Sequence, residues 1–417
     1  MNNRSDDTLS PQDLEVSLDV GNLLYLEEKS SNVVVERTIK IQYADSPEYS
    51  ENSEIVVNFQ TGSDYISSKD SFMKLTLGAI YGSDGTTPAT GTVNFGVNGS
   101  ILNCFKTIRV LSRSGTVIAQ TDSANLLNFY KVNYQHTKQW KDQQGLALLG
   151  LNDVGANYIN GGTEFLIPLQ LISSFFETQE LLPSQLCRSM RIEITVETAE
   201  VAFVHSGSAT TLPAKYTLEG VQVHLDSYSL TSAAVNWLNN RSAKEGLVMT
   251  YHDWENSQFS KAIGQTSYSY EVRKTASMSN SLMTIFRNKR ASEVAENSFA
   301  SAELLATDTY QYRVGSLYLP IQPVQGKLQM YNQQNYAMDK LRSGHELGVT
   351  LTQFNALGVL PAVLDRYWLN NSGLALNNST TASITGVNDG TKAKDVDIFL
   401  KHTRSLIVFL NNTRRSD

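Results

Sequence analysis

The sequence predicts an all-β protein built as two tandem β-sandwiches, with helical insertions in the loops. Many short segments alternate apolar and polar residues, which is the pattern of strands that bury one face. Clusters of Gly, Asn, Asp, Ser and Thr separate these segments, as in all-β chains with many turns. A chain of 417 residues is long enough for two domains with sizeable cores, and no fixed-period repeat is visible.

The composition limits the classes of function. Charged residues make up 18% of the chain, below the usual quarter, and the formal net charge is −7. Binding nucleic acid through its phosphates needs clustered Lys and Arg, so we expect no direct sequence-specific nucleic-acid binding. No apolar run approaches the ~20 residues of a membrane span, and no signal-peptide pattern is visible, so we expect synthesis in the cytosol. Cys104 and Cys187 are expected to be buried thiols, and a disulfide stays an open alternative.

The stretch Thr163–Val204 is the most informative part of the chain. It opens with an apolar strand, Phe165–Ile172, in which Pro168 indicates a bulge, a strand end or a sheet edge. An aromatic pair and an acidic turn, Glu177–Glu180, follow. A long strand is then predicted over Ser189–Val204. Its buried face would carry Ile192, Ile194 and Val196, and its solvated face Arg191, Glu193, Thr195 and Glu197.

Before this stretch, the sequence predicts a polar N-terminal arm, a series of strands and a helical excursion. Helices are predicted at Ser123–Tyr134, where Leu126, Leu127 and Tyr130 share a face, and more weakly at Lys138–Leu149. Strands or hairpins are predicted at Asn32–Tyr43, with Ile39 and Ile41 alternating against Lys40 and Gln42, and at Ser53–Gln60, Ser71–Tyr81 and Phe105–Gln120. A loop is predicted at Gly82–Thr92, and another at Ser206–Pro213, after the central stretch.

The second half repeats the type of structure without repeating the letters. After Tyr216–Leu230, which is predicted as the last strand of the first half, strands of the second half are predicted at Leu247–His252, Thr266–Ala276, Ser281–Phe286, Tyr310–Leu319 (ended by Pro320 and Pro323), Val396–Leu400 and Arg404–Leu410. A short helix is predicted at Ser232–Asn240 and a longer one at Val324–Arg342, with Met330, Tyr331, Gln334, Met338 and Leu341 on one face before Gly344. Residues 370–395 are predicted to form a polar loop.

Two stretches carry a resemblance to a known family. The order of strand, Ile-Pro-Leu, aromatics, acidic turn, Leu-Pro and alternating strand resembles the first barrel of double jelly-roll major capsid proteins. Tyr216–Trp254 is similar to the junction of that family, where a Leu-Asp pair ends barrel one and a short polar helix leads into barrel two. The residues that carry the resemblance are Ile167, Pro168, Leu169, Phe175, Phe176, Leu182, Pro183, Leu225 and Asp226.

The family includes capsid proteins of polinton-like viruses, virophages and large eukaryotic DNA viruses, adenovirus hexons, and capsid proteins of tailless phages with internal membranes. The resemblance implies two tandem jelly rolls, divided as an N-terminal arm (1–32), a first jelly roll (33–230), a linker helix (231–245), a second jelly roll (246–411) and a C-terminal tail (412–417).

The resemblance also implies a function. It implies a structural major capsid protein of a double-stranded DNA virus, without enzymatic activity or cofactor, located in the virion and assembled in the host cytoplasm or nucleus. Three chains would form a pseudo-hexameric trimer that tiles an icosahedral shell. The implied partners are two further copies in a homotrimer, neighbouring capsomers, and penton and minor capsid proteins. The loops at 82–92, 123–162 and 370–395 are expected at the trimer axis or on the outer surface.

Catalytic and metal-binding patterns are weak in this sequence. Tyr251–Glu255 combines His, Asp and Glu, but neighbouring residues of a strand face opposite sides, so His252 and Asp253 would point apart. The six histidines never pair at i, i+2 or i, i+4, and the cysteines form no CxxC motif. Calcium at Asp84 or Asp389 stays possible on sequence alone, although Asp-Gly pairs usually mark turns.

Two alternatives remain open at this point. Basic residues cluster at Arg287, Lys289 and Arg290, and again at Arg404, Arg414 and Arg415. They indicate either a solvated loop and tail or a contact, through the C-terminal tail, with an internal membrane or the genome. The other alternative is a carbohydrate-binding or carbohydrate-active β-sandwich protein. In that case the tryptophans would stack on sugar rings; they are Trp140, Trp237, Trp254 and Trp368.

Overall fold

A computed structural model describes residues 33–177, 181–206, 211–288, 298–302, 304–337, 349–364, 373–377, 380–409 and 413–416. The predicted N-terminal arm, the acidic turn at 178–180, Lys289, Arg290 and Trp368 lie outside them. Within these residues every sheet is antiparallel, and none combines strands from the two halves of the chain.

The strands of the first half form two larger sheets and one small one. Their bounds are β1 Val34–Tyr43, β2 Glu48–Ser50, β3 Glu54–Asn58, β4 Tyr65–Leu77, β5 Thr92–Asn94, β6 Phe105–Leu111, β7 Val117–Thr121, β8 Thr163–Pro168, β9 Leu181–Leu182, β10 Arg191–Val196, β11 Val204–Ser206 and β12 Thr217–Leu230. One sheet has the order β1-β12-β4-β8 and the facing sheet β3-β10-β6-β7; β2 pairs with β12, β9 with β4, and β5 with β11.

The second half is built in the same way. Its strands are β13 Leu247–Lys261, β14 Ser267–Val272, β15 Ala276–Asn288, β16 Thr309–Val314, β17 Leu317–Gln325, β18 Leu360–Val363, β19 Leu374–Leu376, β20 Ala382–Val387, β21 Lys394–Val408 and β22 Thr413–Ser416. One sheet has the order β13-β21-β15-β18 and the other β14-β20-β16-β17; β19 pairs with β15 and β22 with β21.

The two halves share one topology. When the eight principal strands of each half are numbered in chain order, one sheet has the order 1-8-3-6 and the other 2-7-4-5, in both halves. Two four-stranded antiparallel sheets connected in this way form a jelly roll. The prediction of two tandem jelly-roll sandwiches is therefore confirmed. We call these sheets the 1-8-3-6 sheet and the 2-7-4-5 sheet of each roll.

Three longer helices lie between the strands: α1 Ala124–Gln135, α2 Ser232–Lys244 and α3 Lys327–Ala337. Helix α1 joins β7 to β8, and α3 occupies the corresponding connection between β17 and β18. Helix α2 links the two rolls, and the Thr231 side chain caps it by accepting a hydrogen bond from the Ala234 N–H. Short helical segments lie at Ile101–Cys104, Lys138–Trp140, Lys141–Gly145, Leu146–Leu149, Leu169–Ile172, Ser174–Glu177, Ser184–Cys187, Ala199–Ala202 and Phe354–Leu357. The helices predicted at 123–134, 138–149 and 232–240 are confirmed.

Two predictions for the central stretch were partly wrong. The strand predicted over 165–172 ends at Pro168, and a short helix begins at Leu169, because proline donates no ladder hydrogen bond. The strand predicted over 189–204 is only β10, after which the chain turns through a helical segment. Ile192, Ile194 and Val196 are fully buried as predicted. Glu193 on the opposite face is buried too, since Arg109 and Arg191 form ion pairs with it.

Several predictions for the second half were wrong in their boundaries. Residues 310–319 form not one strand but the hairpin of β16 and β17, which turns at Gly315, where φ is +58°. Pro320 and Pro323 lie inside β17, and an edge strand tolerates them. The predicted polar loop at 370–395 contains β19 and β20, and the two predicted closing strands form the single strand β21. Helix α3 is shorter at its start than the predicted helix, and residues 338–348 lie outside the described part of the chain.

The alternation in the first strand indicated that Ile39 and Ile41 would be buried, and this prediction was wrong. Ile39 and Ile41 of β1 are exposed, whereas Gln42 is buried. The polar side of β1 faces inward because it bonds to the loop after β3. The Lys40 ammonium donates to the Thr61 carbonyl oxygen at 2.7 Å, and the Gln42 side chain accepts from the Gln60 N–H at 3.0 Å.

Candidate assembly surfaces

The first and second jelly rolls are joined by a buried apolar contact that helix α1 provides. Leu126, Phe129 and Tyr130 on α1 belong to one buried cluster with Trp254, Met283, Ile285 and Phe399, which lie on β13, β15 and β21. The Tyr130 hydroxyl donates to the Phe299 carbonyl oxygen at 3.0 Å. Helix α1 of the first roll therefore covers the outer face of the 1-8-3-6 sheet of the second roll.

A second contact joins the rolls beside this helix. The strands β13 and β21 extend beyond their own sandwich, and Met249, Tyr251, Leu406 and Val408 pack into the core of the first roll. The Tyr251 hydroxyl donates to the Ile118 carbonyl oxygen of β7 at 2.6 Å, and its ring meets Phe175 edge-on at 5.2 Å. The Ser242 hydroxyl of α2 donates to the Val408 carbonyl oxygen at 3.0 Å. Because these contacts are buried, the two rolls form one continuous packed structure.

The predicted signature residues lie close to this junction or in the core of the first roll. Ile167 and Leu169 are fully buried on either side of Pro168, which ends β8. Phe175 and Phe176 are fully buried and contact each other edge-on at 5.3 Å. Only Phe175 among the signature residues is described in ring contact with the second roll, through Tyr251.

The remaining signature residues belong to β9, β12 and the turn after β9. Leu182 pairs with Ile66 of β4, and Pro183 precedes the helical segment 184–187. Leu225 is fully buried in β12. Asp226, its neighbour on the outer face, accepts a hydrogen bond from the Arg37 guanidinium at 2.8 Å. The structure therefore does not bring these residues together into one site; they are spread over the core, strands and turns of the first roll.

Two exposed apolar surfaces remain on the described residues. We call the first the β1 face: Val35 is 68% exposed, Ile39 65%, Ile41 42% and Tyr43 70%. We call the second the β17–α3 face: Ile321 is 85% exposed and Leu328 68%, and they line a groove with Leu319 and Pro320. Monomeric proteins scatter single exposed apolar residues, but contiguous apolar faces usually mark binding surfaces. Sequence reasoning missed both faces, because alternation along a strand does not say which side is covered.

Two buried or partly buried arginines form ion pairs inside the second roll. The Arg404 guanidinium lies 2.5 Å from an Asp253 carboxylate oxygen and 2.6 Å from one of Glu255. The Arg287 guanidinium lies 2.6 Å from an oxygen of Asp397. His252 faces Thr403 at 3.3 Å instead, and burial lowers its pKa to about 4. Arg287 and Arg404 therefore have protein partners, which removes them from the predicted basic surface clusters. Arg414 lies in β22, paired with β21.

Other predicted sites have local explanations. The Asp84 carboxylate accepts hydrogen bonds from the Thr87 hydroxyl and from the N–H groups of Thr86 and Thr87, which together hold its pKa well below the usual range. The Asp389 carboxylate accepts hydrogen bonds from the Thr391 hydroxyl and from the Thr391 N–H, the latter at 2.8 Å, and both lower its pKa. Both are turn interactions. Within the residues that the structure describes, no group of three or more His, Cys, Asp and Glu side chains could hold a metal ion.

The two cysteines and Trp254 are buried, whereas a reactive thiol or a sugar-stacking ring has to be accessible. Cys104 and Cys187 are free and buried, and burial raises the pKa of Cys104 to about 12. Trp254 is 5% exposed under helix α1, and Trp140 stacks on His136 at 3.7 Å. Trp254 thus has no face free for a sugar ring. Among the described helices, none has both the length and the apolar character that a membrane crossing requires.

The sequence matches no family model and no curated protein. It does match solved structures. Against a chain of the PBCV-1 virus capsid it is 11% identical, with 92% of this chain and 97% of that chain covered and a TM-score of 0.63. Against the Faustovirus major capsid protein the identity is 10%, the coverage 90% and 91%, and the TM-score 0.63.

The mavirus major capsid protein is a third similar structure. Its identity to this chain is 8%, the coverage is 91% of this chain and 90% of that chain, and the TM-score is 0.52. At these identities the likeness concerns the fold. Because nearly the whole of each chain is covered, it extends to both jelly rolls and their arrangement.

Proposed function

We propose that this chain is a structural major capsid protein of a double-stranded DNA virus. The observation that carries the proposal is the repetition of one jelly-roll topology in two rolls that pack through α1. The similarity to capsid proteins of PBCV-1, Faustovirus and mavirus over about nine-tenths of each chain supports it. The protein would act in the virion, by burying surface against its neighbours, without catalysing a reaction.

The proposed assembly is a homotrimer. Three chains with two similar rolls each would place six rolls in a ring, and such a pseudo-hexamer can tile an icosahedral shell. The arm (1–32), the rolls (33–230 and 246–411), the linker helix (231–245) and the tail (412–417) are the working division of the chain. The signature residues at 167–169, 175–176, 182–183 and 225–226 would act by holding the first roll in shape.

The proposed partners follow from the same role. Neighbouring capsomers, penton proteins and minor capsid proteins would contact the outside of the trimer. A contact with an internal membrane or the genome would depend on Arg414 and Arg415, because Arg287 and Arg404 are engaged in ion pairs. Assembly would take place in the host cytoplasm or nucleus.

Light scattering coupled to size exclusion tests the oligomeric state. The chain has a mass of 46.2 kDa, so a trimer of the full-length protein would give about 139 kDa. Obligate interfaces of this kind bury more than ~2,000 Å², so the trimer should persist on dilution and in salt. A monomer that persists across concentration and salt would contradict the proposal.

A further inference from the structure

One surface of the second roll is buried by the first roll within the same chain. The outer face of its 1-8-3-6 sheet carries Trp254, Ile285 and Phe399, and α1 covers them. Helix α1 comes from the connection between the fifth and sixth principal strands of the first roll. Beside it, the edge strand β7 accepts the hydrogen bond from Tyr251 on β13. One roll therefore covers the next with its β7 edge and its α1 helix.

The equivalent sheet of the first roll has the same kind of outer face but no cover among the described residues. Its strands β1, β12 and β4 correspond to β13, β21 and β15. Phe72 and His224 stack at 4.7 Å on this face, beside Ile41, whose register partner is His224. The β1 face continues it with side chains that are 42–70% exposed. The same face also carries the polar side chains of Gln222 and Lys74, which are register partners. Its apolar part, on β1 and at Phe72, is left open in the first roll, whereas the corresponding apolar part of the second roll is covered.

The covering elements are also present twice. Edge strand β17 and helix α3 are the counterparts of β7 and α1 in the second roll. Met330 of α3 is fully buried against its own roll, whereas Leu328 on the same helix points outward. Ile321 in the middle of β17 is 85% exposed. The β17–α3 face is thus an apolar covering surface that covers nothing in the described part of its own chain.

We propose that the β17–α3 face of one chain binds the β1 face of a second copy, repeating between chains the contact that α1 and β7 make within one. This inference rests on the proposed homotrimer and names the surfaces that form it. The contact joins two different surfaces, so it is a head-to-tail contact. Such contacts produce a closed ring when the rotation from one chain to the next returns to the first chain. We choose a second copy as the occupant because β17 and α3 correspond to β7 and α1. In the single chain, β7 and α1 already cover the 1-8-3-6 sheet of the second roll, and the β1 face belongs to the equivalent sheet of the first roll.

Charge substitutions test the two faces separately. Ile39→Asp with Ile41→Asp alters the β1 face, and Ile321→Asp with Leu328→Asp alters the β17–α3 face. Because these side chains are exposed in the single chain, the variants should fold, which circular dichroism would verify. Ile263→Asp is the matched control, since Ile263 is 70% exposed but belongs to neither face. We expect the control to remain near 139 kDa and each double variant to fall to the 46.2 kDa of one chain.

Mixing the two double variants gives a sharper result. Each variant retains one intact face, so a mixture should form a 1:1 dimer near 92 kDa, which is twice 46.2 kDa, and no larger ring. If the unaltered protein is a trimer and both double variants remain trimers, the inference is overturned and the proposed function stands. If the unaltered protein is a monomer, the proposed function fails first.

The N-terminal segment is the competing occupant of the β1 face. If residues 1–32 cover it in their own chain, the β1-face variant should stay trimeric, and only in that variant should those residues become open to limited proteolysis. That outcome overturns the inference. We expect instead that protein lacking residues 1–32 remains a trimer and that the β1-face substitutions dissociate it.

Discussion

Replacing Arg287 with methionine should destabilise the second roll strongly. Its guanidinium donates to one Asp397 oxygen at 2.6 and 3.2 Å and to the Ser298 carbonyl oxygen at 3.1 Å. The Asp397 side chain is 2% exposed, and Asn256 donates to its other oxygen at 3.0 Å. Breaking a buried ion pair by removing one partner costs about 3–5 kcal/mol. Because Asn256 keeps its bond and Arg287 is partly exposed, we expect about 3 kcal/mol.

Urea unfolding at fixed protein concentration measures this effect. With a slope of about 3 kcal/mol per M, the loss lowers the midpoint by about 1 M. Arg273→Met is the matched control: its guanidinium is 83% exposed and pairs with Glu271 at the surface, so the midpoint should not move. Adding Asp397→Asn to Arg287→Met should recover more than half of the loss, because no charge is then left buried. Equal midpoints for Arg287→Met and Arg273→Met would refute the reasoning.

Three further predictions follow from buried groups. Tyr251→Phe should lower the free energy of unfolding by about 1–2 kcal/mol, because the Ile118 carbonyl oxygen loses its donor; a change near zero in thermal or urea unfolding would contradict the inter-roll bond. Cys104 and Cys187 should resist a thiol reagent at pH 8 until the protein unfolds, and rapid labelling of the native protein would contradict their burial. Burial lowers the pKa of His252 from 6.5 to about 4, so the unfolded state takes up its proton first. Stability should thus decline as the pH falls from about 6.5 towards 4, and less so in His252→Gln; equal declines in both proteins would contradict it.

The sandwich strands with one apolar face were predictable from sequence. In β10 the three apolar residues Ile192, Ile194 and Val196 are all buried, and β12 buries Val223 and Leu225 in the same way. Helix α1 was predictable because its apolar residues recur at helical spacing. Each of these elements is determined by the periodicity of apolar residues within its own segment, so a single sequence is enough to predict it.

Elements governed by neighbours were not predictable. Strand β20 buries only Ala382 and Ile384, too few apolar residues to distinguish it from a polar loop. Strand β17 contains two prolines, which its edge position permits but its sequence argues against. Strand β1 turns Ile39 outward because Lys40 and Gln42 find partners inside. Each of these depends on tertiary partners that a single sequence does not reveal.

The candidate surfaces were less predictable than the fold. The loops at 82–92, 123–162 and 370–395 were expected at the trimer axis or on the outer surface, and that expectation stays a prediction; the exposed apolar faces on β1, β17 and α3 were not foreseen. The signature residues identified the first roll, but most of them are core residues and only Phe175 is described in ring contact across the junction. The repeated topology could be seen only from the strand pairings, because the sequences of the two halves show no visible repeat.

Electron cryomicroscopy of the purified full-length protein tests the central claim most directly. We predict a threefold particle with six jelly-roll lobes in a ring, in which the β17–α3 face of each chain lies against the β1 face of the next. Single two-lobed particles, or an oligomer in which β1 faces solvent, would contradict the account.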